Sequence, residues 1–196
     1  MLSELPVPRQ IAAIIPYYGP AGDSTRIITR DGGLVTLTAR IRTIIRQLAQ
    51  SRAVDLVALK TNARLATARK NLSPLPLAPG LVLAPLKIRR PRISGDITTG
   101  YVNIYATAAV KANPHQPYQA TIILAGATEL PVMWSVATVQ RQLALARLAA
   151  GALSSGPSPF TGAFREDYAG YAPELLTLAV KLVDVFNEIV CMKQKQ

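Results

Sequence analysis

Apolar and polar positions change period several times along this chain. Ile11-Ala-Ala-Ile-Ile-Pro16 is a short unbroken apolar run and reads as a buried strand, followed by a turn at Tyr18-Gly-Pro-Ala-Gly22. Residues 24–29 and 34–37 read as two more strands. Asp31-Gly-Gly33 joins them, and its glycines accept the positive φ of a tight hairpin. The chain therefore opens as an antiparallel meander.

At Thr38, a candidate helix cap, the period becomes helical. Ile41, Ile44, Ile45 and Leu48 share one face, while Arg42 and Arg46 lie one turn apart on another. A second helical run is expected from Val54 to about Asn71, with Leu56, Leu59, Ala63 and Ala66 as a weaker apolar face. Residues 72–91 are punctuated by Pro74, Pro76, Pro79, Pro85 and Pro91, so the strand at residues 81–86 is expected at an edge or as a short piece. Extended pattern returns at residues 101–107, 118–124 and 129–134, the last two forming a hairpin across Ala125-Gly-Ala-Thr128. Ser135 caps a helix carrying Val136, Val139, Leu143 and Ala146, expected to end near Ala150.

Residues 151–162 are rich in Gly, Ser and Pro and read as a loop. The tail then shows Leu175, Leu178, Leu182, Val185, Ile189 and Met192 at coiled-coil spacing beside a second apolar row, Leu176, Ala179, Val183, Phe186 and Val190. A helix this widely apolar is expected in the core or at an interface between copies, with Leu175, Leu178, Leu182, Val185 and Ile189 as its contact residues. The expected class is α+β, with antiparallel strands in a meander and hairpins packed against about four helices. Residues 1–150 form a single domain, 151–172 a loop and 173–196 a tail helix.

Composition adds bounds. The 196 residues suffice for one well-buried core, and 49% hydrophobic against 17% charged residues excludes a disordered chain. No run approaches the length of a membrane helix, and the first residues lack a basic start followed by an apolar stretch, so a cytoplasmic protein is expected. A single cysteine, Cys191, excludes an intramolecular disulfide and a multi-cysteine zinc cluster.

Charge changes the picture most. The net charge is +11, and fifteen basic against five acidic residues place +10 of it before residue 101. From Arg40 to Arg92 the only acid is Asp55, whereas a merely solvated surface mixes signs. Three basic clusters stand out: Arg42 and Arg46; Lys60, Arg64, Arg69 and Lys70; and the proline-stiffened run Lys87, Arg89, Arg90 and Arg92. Each alone reads equally as a solvated face. Together they point to phosphate, which arginine contacts in pairs and whose binding releases counterions. Arginines on a stiff loop also suit a narrow minor groove.

Other chemistry is thin. The aromatics able to stack on bases are Tyr17, Tyr18, Tyr101, Tyr105, Tyr118, Trp134, Tyr168 and Tyr171, and those on strands alternate as core residues do, which disfavours single-strand binding. His115 lies in a turn, Asn113-Pro-His-Gln-Pro117, without a companion ligand for a metal. No glycine-rich phosphate loop with lysine and no Gly-x-Ser-x-Gly elbow is present. No enzyme, cofactor, metal or small-molecule ligand is expected; a catalytic cluster around Asp23, Asp31 and Asp96 is the weakest alternative.

The order of elements over residues 11–148 is similar to that of the competence transcription factor (ComK) family of Gram-positive bacteria. The likeness rests on Ile11-Ala-Ala-Ile-Ile-Pro16, the basic helical middle, residues 88–91 leading into Gly100-Tyr-Val-Asn-Ile104, and Glu129-Leu-Pro-Val132 running into the next helix. The resemblance implies a transcriptional activator that binds A·T-rich duplex DNA as a homo-oligomer. The expected function is accordingly DNA-binding regulation through Arg42, Arg46, Arg64, Arg69, Lys70, Lys87, Arg89, Arg90 and Arg92. The alternative is an interaction protein that docks an acidic partner protein.

Overall fold

In the computed structural model β1 (Ile11–Gly19), β2 (Gly22–Thr29) and β3 (Leu34–Leu37) form the expected meander, β1 running three residues past its expected end. The structure describes residues 5–154 apart from 21, 69 and 70. Further along lie α1 (Ile41–Gln50), α2 (Leu56–Thr67), β4 (Leu75–Ala78), β5 (Leu81–Lys87) and β6 (Thr99–Asn103). They are followed by β7 (Thr107–Ala112), β8 (Ala120–Leu124), β9 (Glu129–Val132) and α3 (Val136–Ser154). Strands β3-β2-β1-β6-β5-β4 make one antiparallel sheet and β7-β8-β9 a second. The class is α+β with antiparallel sheets. Three α-helices lie among the described residues, and the expected tail helix at 173–196 lies outside them, as does most of the expected loop 151–172.

Strand alternation explains how the larger sheet is covered on both faces. On one face Ile14, Ile27, Leu81, Leu83, Leu75 and Leu77 pack with Ile41, Ile44, Ile45 and Leu48 of α1 and Leu59 of α2. On the other, Ala13, Ile28, Val82, Ala84, Leu86 and Val102 meet Ile122, Leu124, Leu130 and Val132 of the smaller sheet and Val139, Leu143 and Ala146 of α3. A register shift between Ile11 and Ala13 puts Ala12 and Ala13 on the same side, so Ile11 and Ile14 both reach the helical layer. Each fully buried Ile or Leu here contributes about 1.5–3 kcal/mol of transfer free energy.

The sheets are joined at Asn103, which is fully buried. Its Nδ2 donates to the carbonyls of Ile11 and Gly80, each at 2.9 Å, and its Oδ1 accepts from Tyr105 N–H at 3.2 Å. Those bonds satisfy groups that the ladder leaves open where the chain quits the first sheet through a 3-10 turn at Ile104–Ala106. At the far end Gly126, with φ +79°, lies so close to the β2–β3 turn that a Cβ would stand 2.7 Å from the Arg30 carbonyl oxygen.

Several expectations need correcting. The strand expected at residues 81–86 is β5, which is internal, flanked by β4 and β6. Its proline is tolerated because β4 pairs only as far as Leu83, leaving Pro85 bonded on the β6 side alone. The edge strand is β4, which the proline count concealed. The extended segment 101–107 is two strands in different sheets, broken by the 3-10 turn. Thr38 does not cap α1: Arg40 holds the cap position without a side-chain bond, and Thr25 Oγ1 of β2 donates to Ala39 O at 2.7 Å to fix the helix entrance. The helix expected over 54–71 is shorter, Leu56–Thr67, ending where Ala68 turns left-handed at φ 51°. α3 runs to Ser154, so the first residues of the expected loop at 151 are helical. Ser135 does cap it, accepting from Thr138 N–H at 3.4 Å. The β8–β9 hairpin and the Asn113–Pro117 turn around His115 are as expected.

A cationic cleft beside an internally committed arginine

Two helices bring four cations to one depression. α1 stops in a Schellman arrangement: Val54 N–H reaches Ala49 O at 2.9 Å, Ala53 N–H reaches Gln50 O at 3.0 Å, and Ala53 is left-handed at φ 52°. Asp55 then caps α2 by accepting from Val57 N–H at 2.7 Å and Ala58 N–H at 3.4 Å. The one acid of the basic stretch is thus occupied with backbone donors, and the helix following it starts at once. Arg42 and Arg46 on α1 and Lys60 and Arg64 on α2, each pair spaced four apart, line a cleft of about 520 Å³.

The cleft is lined further by Asn71, Leu72, Ser73 and Leu75 after α2, by residues 95–98 of the β5–β6 connection and by Thr99 and Tyr101 of β6. Ile45, Leu56, Leu75 and Tyr101 make its wall partly apolar. Burial pushes the Tyr101 hydroxyl pKa up, with the Arg42 charge pulling it the other way. None of the four cations has an acidic partner among the described residues, where the ion pair present is Arg89–Asp23. Ser73 Oγ is buried there without a hydrogen-bond partner. Lys60, Ser73, Thr98, Thr99 and Tyr101 were not among the expected binding residues. Lys60 carried a signal, being four residues before Arg64, and Tyr101 one as an aromatic; Ser73, Thr98 and Thr99, brought in where the chain enters β4 and β6, had none.

The β5–β6 connection is built differently. Arg89 is expected in the sequence as a nucleic-acid contact; in the structure its side chain is only 11% exposed and is committed internally. It pairs with Asp23 of β2, donates from Nε to Ile97 O at 2.9 Å, and stacks 3.7 Å from the Tyr18 ring centroid. Arg92 also lies over Tyr18, at 4.2 Å, but stays exposed. Asp96 Oδ2 accepts from the Tyr18 hydroxyl and from Arg92 and Ile93 N–H at 3.0 Å each, closing the turn whose Gly95 needs φ +93°. These bonds hold the Asp96 carboxyl below the usual carboxylate range, the Tyr18 hydroxyl having the largest effect. Tyr17 of β1 carries Arg26 at 3.8 Å in the same manner, so these tyrosines serve arginines rather than the apolar core.

Of the remaining expected residues, Arg90 is exposed on the same loop. Lys87 is half-buried at the end of β5, opposite Thr99, and its carbonyl accepts from Met133 N–H at 2.9 Å. Arg69 and Lys70 lie outside the described residues, as do Leu175, Leu178, Leu182, Val185 and Ile189. The three acids do not share one site: Asp23 pairs with Arg89 and Asp96 accepts from Tyr18 beneath it, while Asp31 sits in the β2–β3 turn at the other end of β2, bonded to Thr29.

Among the described residues no helix is long and apolar enough to cross a membrane, and no group of three potential metal-ligating side chains occurs. No protein-family model, curated protein or solved structure matches the chain.

Proposed function

We propose that this protein is a nucleic-acid-binding regulator whose helices α1 and α2 hold phosphates of the backbone. The observation that carries this is the set Arg42, Arg46, Lys60 and Arg64, converging from two helices on one cleft where none of them is ion-paired with an acid among the described residues. Leaving like charges this close costs folding free energy through repulsion, which an anionic partner removes. Arg90 and Arg92, exposed on the loop whose residues 95–98 wall the cleft, extend the basic surface toward a duplex and suit a narrow A·T-rich minor groove. The similarity to competence transcription factors supports the same partner, duplex DNA, and action as a homo-oligomer.

Fluorescence-anisotropy titration of A·T-rich and G·C-rich duplexes at several salt concentrations tests this. Four phosphate contacts would give a log–log salt slope of about −3.6. No binding to either duplex at low salt would overturn the proposal.

A second reading is favoured by apolar exposure on α2. Val57 and Leu65, 74% and 75% exposed, lie two turns apart close to Lys60 and Arg64. Such a mixture suits an acidic protein partner, and short duplex DNA would then fail to compete for the surface.

A further inference from the structure

Phosphate contacts leave one exposed side chain of the β5–β6 connection unused. Ile93 is 73% exposed at the tip of that loop, where Pro91, Arg92, Ser94 and Gly95 are exposed as well. A lone aliphatic residue on a solvated surface needs no partner, but this one is rigidly mounted. Its N–H donates to Asp96 Oδ2 at 3.0 Å and its carbonyl accepts from Asp96 N–H at 3.2 Å, so its backbone is tied on both sides. Arg92 N–H donates to the same carboxylate oxygen, which the Tyr18 hydroxyl of β1 anchors to the sheet. Gly95, at φ +93°, completes the turn, and a Cβ there would meet nothing within 4 Å, so the tip stands clear of the fold. Branching at Cβ stiffens the isoleucine itself.

The setting of this tip is cationic. Arg90 is exposed before it, and Arg92 lies 4.2 Å from the Tyr18 ring centroid with its charge open to solvent. The acid of the turn, Asp96, has Oδ2 occupied by three donors. Arginines beside a protruding apolar residue are what a protein needs to part stacked bases from the minor groove: the cations hold the strands, and the aliphatic group fills the gap between base pairs. We infer that Ile93 is such a wedge, entering the minor groove at one base step and kinking the duplex there. The inference rests on the nucleic-acid reading and sharpens its target. A rigid mount matters because a wedge on a mobile loop would yield before the bases did. Unstacking costs least at pyrimidine–purine steps, so the site is A·T-rich sequence containing a TA step. A stiff A-tract, whose narrow groove would satisfy the arginines alone, is the poorer target.

Two duplexes of identical composition test this, one with a central TA step and one with an uninterrupted A-tract. Each carries 2-aminopurine at its centre and a dye pair at its ends, and is titrated with the full chain. The TA duplex should bind about fivefold more tightly. Its 2-aminopurine should brighten as the step unstacks, and energy transfer between its ends should rise by the amount expected for a kink of roughly 20–90°. Ile93→Ala removes an exposed side chain and no charge, so the melting temperature and the salt slope should stay as they are. Its affinity for the TA duplex should fall about tenfold, and both fluorescence changes should vanish. Ile93→Leu should keep them. Duplex binding that leaves the TA step stacked and straight, or kinking that survives Ile93→Ala, overturns the inference and leaves the nucleic-acid reading standing. If kinking survives while sedimentation of the variant changes, the side chain belongs to a contact between copies. No binding to either duplex at low salt overturns both.

Discussion

Two arginine clusters on this protein look alike in sequence and are opposites in structure. Around Tyr18, Arg89 is spent on the fold: it joins β2 to the β5–β6 connection through Asp23, Ile97 O and the aromatic ring. In the cleft, Arg42, Arg46, Lys60 and Arg64 are supported by well-packed helices but paired with no acid among the described residues. What separates them is whether a carboxylate and an aromatic ring from a distant strand reach the guanidinium. Arg89 therefore offers little to a ligand. The cleft cations are held ready for an anion.

Substitution of Arg89 by alanine gives the largest expected effect. It breaks charge-assisted bonds and leaves Asp23 largely buried without its partner, so we expect a loss of about 3 kcal/mol, or roughly 10 °C in melting temperature. A loss below about 0.5 kcal/mol would show that Arg89 is as free as the cleft cations. Arg46→Ala should behave inversely. Its stability change should stay within about 0.5 kcal/mol, while duplex affinity falls by about 1 kcal/mol and the salt slope becomes shallower by about one unit. Paired denaturation and binding titrations of the two variants measure the contrast directly.

Arg92 stands between the extremes, stacked on Tyr18 yet exposed. Arg92→Ala should cost about 0.5–1 kcal/mol, the worth of one exposed cation–π contact. The smallest effect concerns Asp96. Because its carboxyl is held below its unfolded value, its stabilising contribution is complete above the unfolded pKa and is lost as pH falls through the folded one. The 92–96 turn should therefore stay intact through mildly acidic conditions and loosen only below the ordinary carboxylate range. An NMR titration of Tyr18 should follow it, and Asp96→Asn should remove the transition.

How far the site was legible differs residue by residue. The i, i+4 spacing of Arg42 with Arg46 and of Lys60 with Arg64 was visible, since helical period alone puts such residues on one side. That the two pairs share a cleft depended on the length of the 51–55 turn, set by Ala53 in a left-handed conformation that its residue type does not announce. Ser73 precedes β4 and Tyr101 lies within β6, strands of the large sheet that α1, at the cleft, precedes by more than twenty residues. The internal commitment of Arg89 was not legible because its partners, Asp23 and Tyr18, are more than sixty residues away. Charge runs record composition along the chain, and ion pairing is decided across it.

The amino-acid sequence by itself determined the opening meander, the apolar face of α1, the β8–β9 hairpin and the Ser135 cap, because each depends on residues within one or two turns of one another. It also determined that half of the chain carries nearly all of the net charge. Only the tertiary structure decided the strand order β3-β2-β1-β6-β5-β4, the internal place of a proline-bearing β5, and the split of residues 99–112 between two sheets. It alone decided which arginines are consumed and which remain open. The physical reason is common to all of these: strand pairing and ion pairing are contacts between distant segments, and their free energy depends on geometry that no local pattern encodes.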